Sequence, residues 1–201
     1  YNNCGPASLS MALSYFGINI GQEELGQQLR PYQNKEGDND DKTTTFKEQA
    51  EKAKEFGLNV YQRPAGDIEM IQKLISLDLP VIVKTWMEVD EDIGHFRVIK
   101  GYDRNKKILI QDDSYQGKDI AFSNQEFDQL WQSFNYEFMF LFPEEKKEKV
   151  SEILGRRVGE IESWKMAMDL AGRQINKNPN DVQAKYNLLR AEYYLGNYQK
   201  A

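Results

Sequence analysis

The 201 residues contain one cysteine and one histidine, and that scarcity narrows the chemistry. A single Cys cannot close an internal disulfide, and a tetrahedral zinc site usually needs four Cys, His or acidic ligands. What one thiol and one imidazole can make together is a nucleophile and its base. Cys4 sits in Asn2-Asn3-Cys4-Gly5-Pro6-Ala7-Ser8-Leu9, one or two residues ahead of a predicted helix whose first turn contains Pro6. The unpaired N–H groups and dipole of a helix N-terminus can lower a thiol pKa from about 8.5 to ~3.5–7.5. Gly5 lets the backbone turn tightly beside the sulfur. A lone Cys is as often a small buried hydrophobe, and spacing alone weighs the two equally.

His95 lies in Gly94-His95-Phe96-Arg97-Val98-Ile99-Lys100-Gly101-Tyr102-Asp103, at the start of a predicted strand, and the next strand ends in Asp112-Asp113. A hairpin would return one carboxylate to the imidazole, fixing its tautomer and stabilising the imidazolium. Register decides which acid that is. A two-residue loop at Arg104-Asn105 puts Asp112 on the His95 face. A three-residue loop puts Asp113 there, because a one-residue slip swaps faces. Taken singly, His95 reads as a strand-end histidine and the acids as a turn pair before Ser114.

The elements that must position these groups follow from periodicity. Leu9, Ala12, Leu13 and Phe16 mark a helix over 6–16, and Leu25 and Leu29 a second over 22–29. Pro31 to Thr45 is polar, acidic at Asp38, Asp40 and Asp41, and reads as a surface loop. Phe46, Ala50, Ala53 and Phe56 mark a third helix, and Ile68, Ile71, Leu74 and Ile75 a fourth. Strands are predicted over 58–63, 81–86, 96–102, 107–112 and 136–142. Ser123 and Glu126 form a capping-box pattern ahead of Phe127, Leu130 and Trp131. Helices followed by clustered strands predict an α+β domain with an antiparallel sheet, ending near Pro143. Trp86, Met87 and Glu88 to Asp92 precede His95 and could wall a cleft whose acids favour basic substrates, but such a charge run reads first as a solvated loop.

From Glu144 onward no strand is expected. Ala184, Leu188, Ala191, Gly196, Tyr198 and Ala201 fall as in a tetratricopeptide repeat, a helix–turn–helix unit of ~34 residues. One repeat earlier, Leu154-Gly155, Ala167 and Pro179 fit a weaker unit over roughly 148–181. Two regions are therefore expected, 1–143 and an all-α 144–201, with the second repeat cut at the chain end. The plain alternative is a helical hairpin packed on the domain.

Hydrophobic residues make up 40% and charged residues 29% of the chain, with a formal net charge of −6. That suits a globular fold with a sizeable core. The acidic balance and the lack of a basic stripe argue against nucleic-acid binding. No apolar run approaches the ~20 residues of a membrane helix. The chain begins at Tyr1 without a Met and stops in mid-pattern, so it reads as a piece of a longer protein and its compartment is left open.

Asn3-Cys4-Gly5-Pro6-Ala7, Gly94-His95-Phe96 through Gly101-Tyr102-Asp103, and Ile110-Gln111-Asp112 together resemble the motifs of the bacteriocin-processing, double-glycine-peptidase-like family of papain-like cysteine peptidases. The resemblance covers about Tyr1–Pro143. It implies a papain-like fold, Cys4 as nucleophile, His95 as general base, Asp112 as orienting acid, a peptide or protein substrate, and no metal or cofactor. In the family the acid is often followed by Pro, and here Asp113 stands there. The family also places an oxyanion-hole Gln several residues before the Cys, which falls upstream of Tyr1. Losing one such donor can cost ~10²–10³ in rate. On this expectation the repeats recruit a substrate or partner. The alternatives are a peptide-binding scaffold that has lost its chemistry, and a transglutaminase-like acyl transferase.

Overall fold

The computed structural model describes residues 3–30, 43–89 and 91–198. Most of the expected 31–45 loop and the repeat position Ala201 lie outside them. Three helices come first: α1 (Cys4–Ser14), α2 (Gln22–Leu29) and α3 (Phe46–Lys54). Then follow β1 (Asn59–Arg63), α4 (Ile68–Ile75), β2 (Val81–Trp86), β3 (Gly94–Asp103), β4 (Ile108–Asp113), β5 (Gly117–Ser123), α5 (Asn124–Gln132) and β6 (Phe138–Phe142). The six strands form one sheet in the order β1-β6-β2-β3-β4-β5, with every neighbouring pair antiparallel. This is the α+β arrangement expected. The strand β5 was not: it opens on exposed Gly117, Lys118 and Asp119, and only Ile120 and Phe122 are partly buried.

Helices cover both faces of the sheet. On one face Leu9, Leu13, Leu25, Phe46 and Ala53 pack against Ile82, Phe96, Val98, Met139 and Leu141. On the other, Met70, Ile71, Leu74, Phe127 and Trp131 pack against Val81, Val83, Ile99, Phe138 and Phe140. The two sets alternate along β2, β3 and β6, as the pleat requires. Burial of side chains this large stabilises by roughly 1.5–3 kcal/mol each, and this sets the sheet's position between the helices.

Local signals fix where helices begin. The Thr45 hydroxyl accepts from the Glu48 N–H while the Glu48 carboxylate accepts from the Thr45 N–H. Ser123 accepts from Glu126 N–H as expected, and Asp67 accepts from Met70 N–H. Helix α1 differs in a way that matters. It starts at Cys4 itself, two residues earlier than expected.

After β6 come a short 3-10 turn (Glu144–Lys146), α6 (Lys147–Leu154), a second 3-10 turn (Gly155–Val158), α7 (Glu160–Lys177) and α8 (Val182–Tyr194). Val150 and Leu154 bury in the same core as the sheet, so that core continues past residue 143. Helices α7 and α8 form an antiparallel pair joined around Pro179, with Trp164 stacked on Tyr194 at 4.1 Å. Ala65, Trp164, Ala167 and Ala191 make a small third core that ties the pair to the rest. Asn187 Nδ2 donates to Gln132 O at 3.0 Å, and Gln183 Nε2 to Ser133 O at 2.8 Å. Among the described residues no helix is long and apolar enough to cross a membrane.

Candidate active site

Cys4 is the first residue of α1 and packs, partly buried, against the sheet face that carries Phe96. The first backbone bond of the helix runs from Ala7 N–H to Asn3 O. The N–H groups of Cys4 and Gly5 therefore precede the helical ladder, and Pro6 has none to offer. Asn3, the residue at the cap, spends its side chain elsewhere. Its Nδ2 donates to Gln22 Oε1 at 3.3 Å and its Oδ1 accepts from Arg30 at 2.7 Å. Gly5 is there for room, since a Cβ would come within 2.1 Å of Thr44 Oγ1 and 2.8 Å of Gln49 Nε2.

His95 is buried at the second position of β3, opposite Thr85 of β2. Its Nε2 lies 2.8 Å from Asp113 Oδ2, which leaves Nδ1 for a second partner, and Cys4 is near enough that thiol and imidazole shift each other's pKa. The structure brings Cys4 and His95 together and places Asp113, not the expected Asp112, beside the imidazole. Asp112 points to the opposite face and pairs with Lys100 at 2.6 Å.

The physical reason is a bulge. The hairpin between β3 and β4 closes with Asp103 opposite Ile108, so its loop is four residues long. That parity alone would put Asp112 on the His95 face, as a two-residue loop would. Lys100 is an extra residue between the Ile99–Gln111 and Gly101–Ile110 pairs, and it slips the register by one. Asp113 then shares the face of Arg97 and His95.

Asp113 is held from four sides. Oδ2 takes His95 and faces Arg97 Nη1 at 3.4 Å, while Oδ1 accepts from Tyr115 N–H at 2.7 Å and Gln116 N–H at 2.9 Å. Arg97 is 1% exposed. Its guanidinium donates to Thr85 Oγ1 at 3.0 Å, Gln116 Oε1 at 3.1 Å, and the carbonyls of Trp86 and Met87. Sequence reasoning assigned no part to Arg97. The backbone bonds to Asp113 had a legible signal, because Asp at a turn often accepts N–H groups two and three residues on.

These contacts set the charges. Burial alone would push the Cys4 thiol up; the bond to His95, the N–H of Phe96, the imidazolium charge and the N–H of Gly5 outweigh it and bring the thiol below its ordinary value. Burial would push His95 down, but its bonds to Asp113 and Cys4 and their charges raise it to about 9. Burial would raise Asp113, yet the His95 bond, the Gln116 and Tyr115 N–H groups and the imidazolium hold it at about 2. A thiol lowered beside an imidazole raised is an ion pair in waiting: thiolate, imidazolium and carboxylate in a row. No group of three or more metal-ligating side chains occurs among the described residues.

Residues 1–139 match the Peptidase_C39 like family. This chain belongs to that family. Its members are cysteine peptidases, and so is this enzyme. The fold is shared with the peptidase domain of Streptococcus ComA, a bifunctional ABC transporter involved in a quorum-sensing pathway. That structure is 24% identical, with a TM-score of 0.54 over 71% of this chain and 93% of that one. It is shared too with a protein from Bacillus anthracis assigned as a C39-like peptidase, 18% identical, with a TM-score of 0.51 over 70% and 88% of the two chains. No curated protein sequence matches significantly.

Proposed function

We propose that this C39-like peptidase hydrolyses peptide bonds through Cys4 as nucleophile, His95 as acid and base, and Asp113 as the acid that orients the imidazole. The observation that carries this is the 2.8 Å His95–Asp113 bond beside Cys4, whose thiol is lowered while the imidazole is raised. In the first half-reaction the Cys4 thiolate attacks the peptide carbonyl carbon. As the tetrahedral adduct collapses, the C–N bond breaks and His95 delivers its proton to the leaving amine. In the second, His95 takes a proton from water, whose oxygen attacks the thioester. The acid product leaves and the Cys4 thiolate and imidazolium are restored. Asp113 stays ionised throughout and stabilises the imidazolium. The Cys4 N–H at the start of α1 is placed to donate to the oxyanion.

The segment 144–201 is read as repeat-type helices that recruit a substrate or partner protein. Support comes from the α7–Pro179–α8 pair with small residues Ala167 and Ala191 at its seam, and from the outward Tyr186, Leu189 and Tyr193 on α8. Gly155, at φ 53°, breaks the first helix of the earlier unit, which departs from the repeat pattern.

Labelling with a peptidyl acyl-directed electrophile tests the triad. Wild type is expected to be modified at Cys4, Cys4→Ala not at all, and His95→Ala at least about 100-fold more slowly, in line with general-base contributions of ~10²–10⁴. Unchanged labelling of His95→Ala overturns the assignment. Release of a free acid from a peptide marks hydrolysis; preferential transfer to an added amine marks the acyl-transferase alternative.

A further inference from the structure

Lys84 of β2 is a half-buried ammonium beside the nucleophile that lacks a counter-ion. It stands opposite Phe96, the residue after His95. Its Nζ lies 5.6 Å from the Phe96 ring centre and 5.1 Å from that of Phe134. On the other side it borders Gly94, the residue before His95: a Cβ on Gly94 would sit 3.2 Å from Lys84 Cε. The ammonium therefore flanks the short stretch of β3 from which the imidazole projects, and the charge of Cys4 is felt at it.

Among the described residues no hydrogen bond or ion pair engages Lys84; its partners are the two aromatic faces. Glu137, the carboxylate whose field reaches it, is already committed. Arg190 of α8 donates to both Glu137 oxygens, at 3.0 and 3.2 Å, and Gln62 reaches one of them at 3.4 Å. Burial pulls the Lys84 pKa down, and Glu137 and Cys4 only partly offset this. Partial desolvation without a paired anion leaves an ammonium with much to gain from an incoming carboxylate. Ring faces hold the cation in place but cannot neutralise it.

We propose that Lys84 is a carboxylate-binding subsite next to the scissile bond, so that the enzyme prefers peptides presenting a carboxylate there. This rests on the peptidase assignment above. The carboxylate can come from an Asp or Glu side chain or from the peptide's own C-terminus, and the same chemistry serves both. Arg190 contributes from a distance: by occupying Glu137 it keeps the subsite positive.

The test is a positional-scanning set of internally quenched hexapeptides in which one position at a time carries Glu, Gln or Lys, each made with a C-terminal acid and a C-terminal amide. Cleavage is measured as kcat/KM and binding by competition, with wild type, Lys84→Met and Lys84→Arg. At one position wild type is expected to favour Glu over Gln by about tenfold or more, the size of one charge-assisted contact. Lys84→Met should bring that ratio to about one, and Lys84→Arg should keep most of it. If the acid-over-amide pair shows the Lys84-dependent preference instead, the carboxylate is the C-terminus. Cleavage whose Glu preference is absent, or survives Lys84→Met, overturns the subsite while leaving the peptidase standing. A Lys84-dependent Glu preference in binding without any cleavage keeps the subsite and sinks the peptidase. No Glu-over-Gln and no acid-over-amide difference in either readout overturns the subsite.

Discussion

Asp112 and Asp113 are neighbours in sequence that live in different solvents. The Asp113 side chain is 0% exposed on the sheet face that carries His95 and Arg97. The Asp112 side chain is 18% exposed on the opposite face, where Lys100 bridges it to Asp119 at 2.6 and 2.7 Å. Both are ion-paired carboxylates on one strand. The difference teaches that pairing alone does not mark a working group. A buried carboxylate that bonds an imidazole sets that ring's tautomer and charge, whereas a pair near the surface is screened and contributes little.

Four measurements would break or sharpen that contrast. The largest effect is expected from Asp113→Asn, which should lower kcat/KM for peptide hydrolysis by ~10²–10⁴ by releasing the imidazole from its tautomer. A loss below tenfold with unchanged circular dichroism would place Asp113 outside the mechanism.

The second is pH-dependent stability. Asp113 has its folded value depressed to about 2 from 3.8. Its contribution is therefore full above about 4 and fades as pH falls towards 2. His95 has its folded value raised from 6.5 to about 9. Its contribution is full below about 6.5 and is lost as pH rises through 9. Between pH 6.5 and 9 wild type should lose about 1–3 kcal/mol that His95→Ala does not lose, in denaturant melts at each pH. Parallel curves for the two proteins would show that the imidazolium is not stabilised in the fold.

The third is Asp112→Asn, expected to change kcat/KM by less than about threefold, as for a partly exposed pair. A loss equal to that of Asp113→Asn would erase the distinction between the two faces. The smallest effect is expected for Lys100→Met, a shift in melting temperature of no more than about 3 °C.

Much of the scaffold was legible. The helices over Gln22–Leu29 and Ile68–Ile75 and the strand Val81–Trp86 have the bounds expected, because each begins directly after a punctuating residue, Gly21, Asp67 or Pro80. Cys4 and His95 were singled out as candidates by scarcity and context. The choice between Asp112 and Asp113 was not legible, because it depended on a bulge at Lys100, for which the strand-interior Gly101 is only a weak signal. The strand β5 was missed for a related reason: its stripe is only Ile120 and Phe122, and pairing to β4 does the rest. Nothing in the sequence singles out Arg97 or Lys84; the fold seals one behind Asp113 and sets the other against two rings, with no ion pair among the described residues.

Asp113 divides its two oxygens between jobs: one fastens the tight turn at Tyr115–Gln116, the other steadies the ring. The loop tip and the imidazole are thus two ends of a lever with the carboxylate as its pivot. Disturbing the turn at Ser114 to Gln116 would loosen the carboxylate that holds the ring.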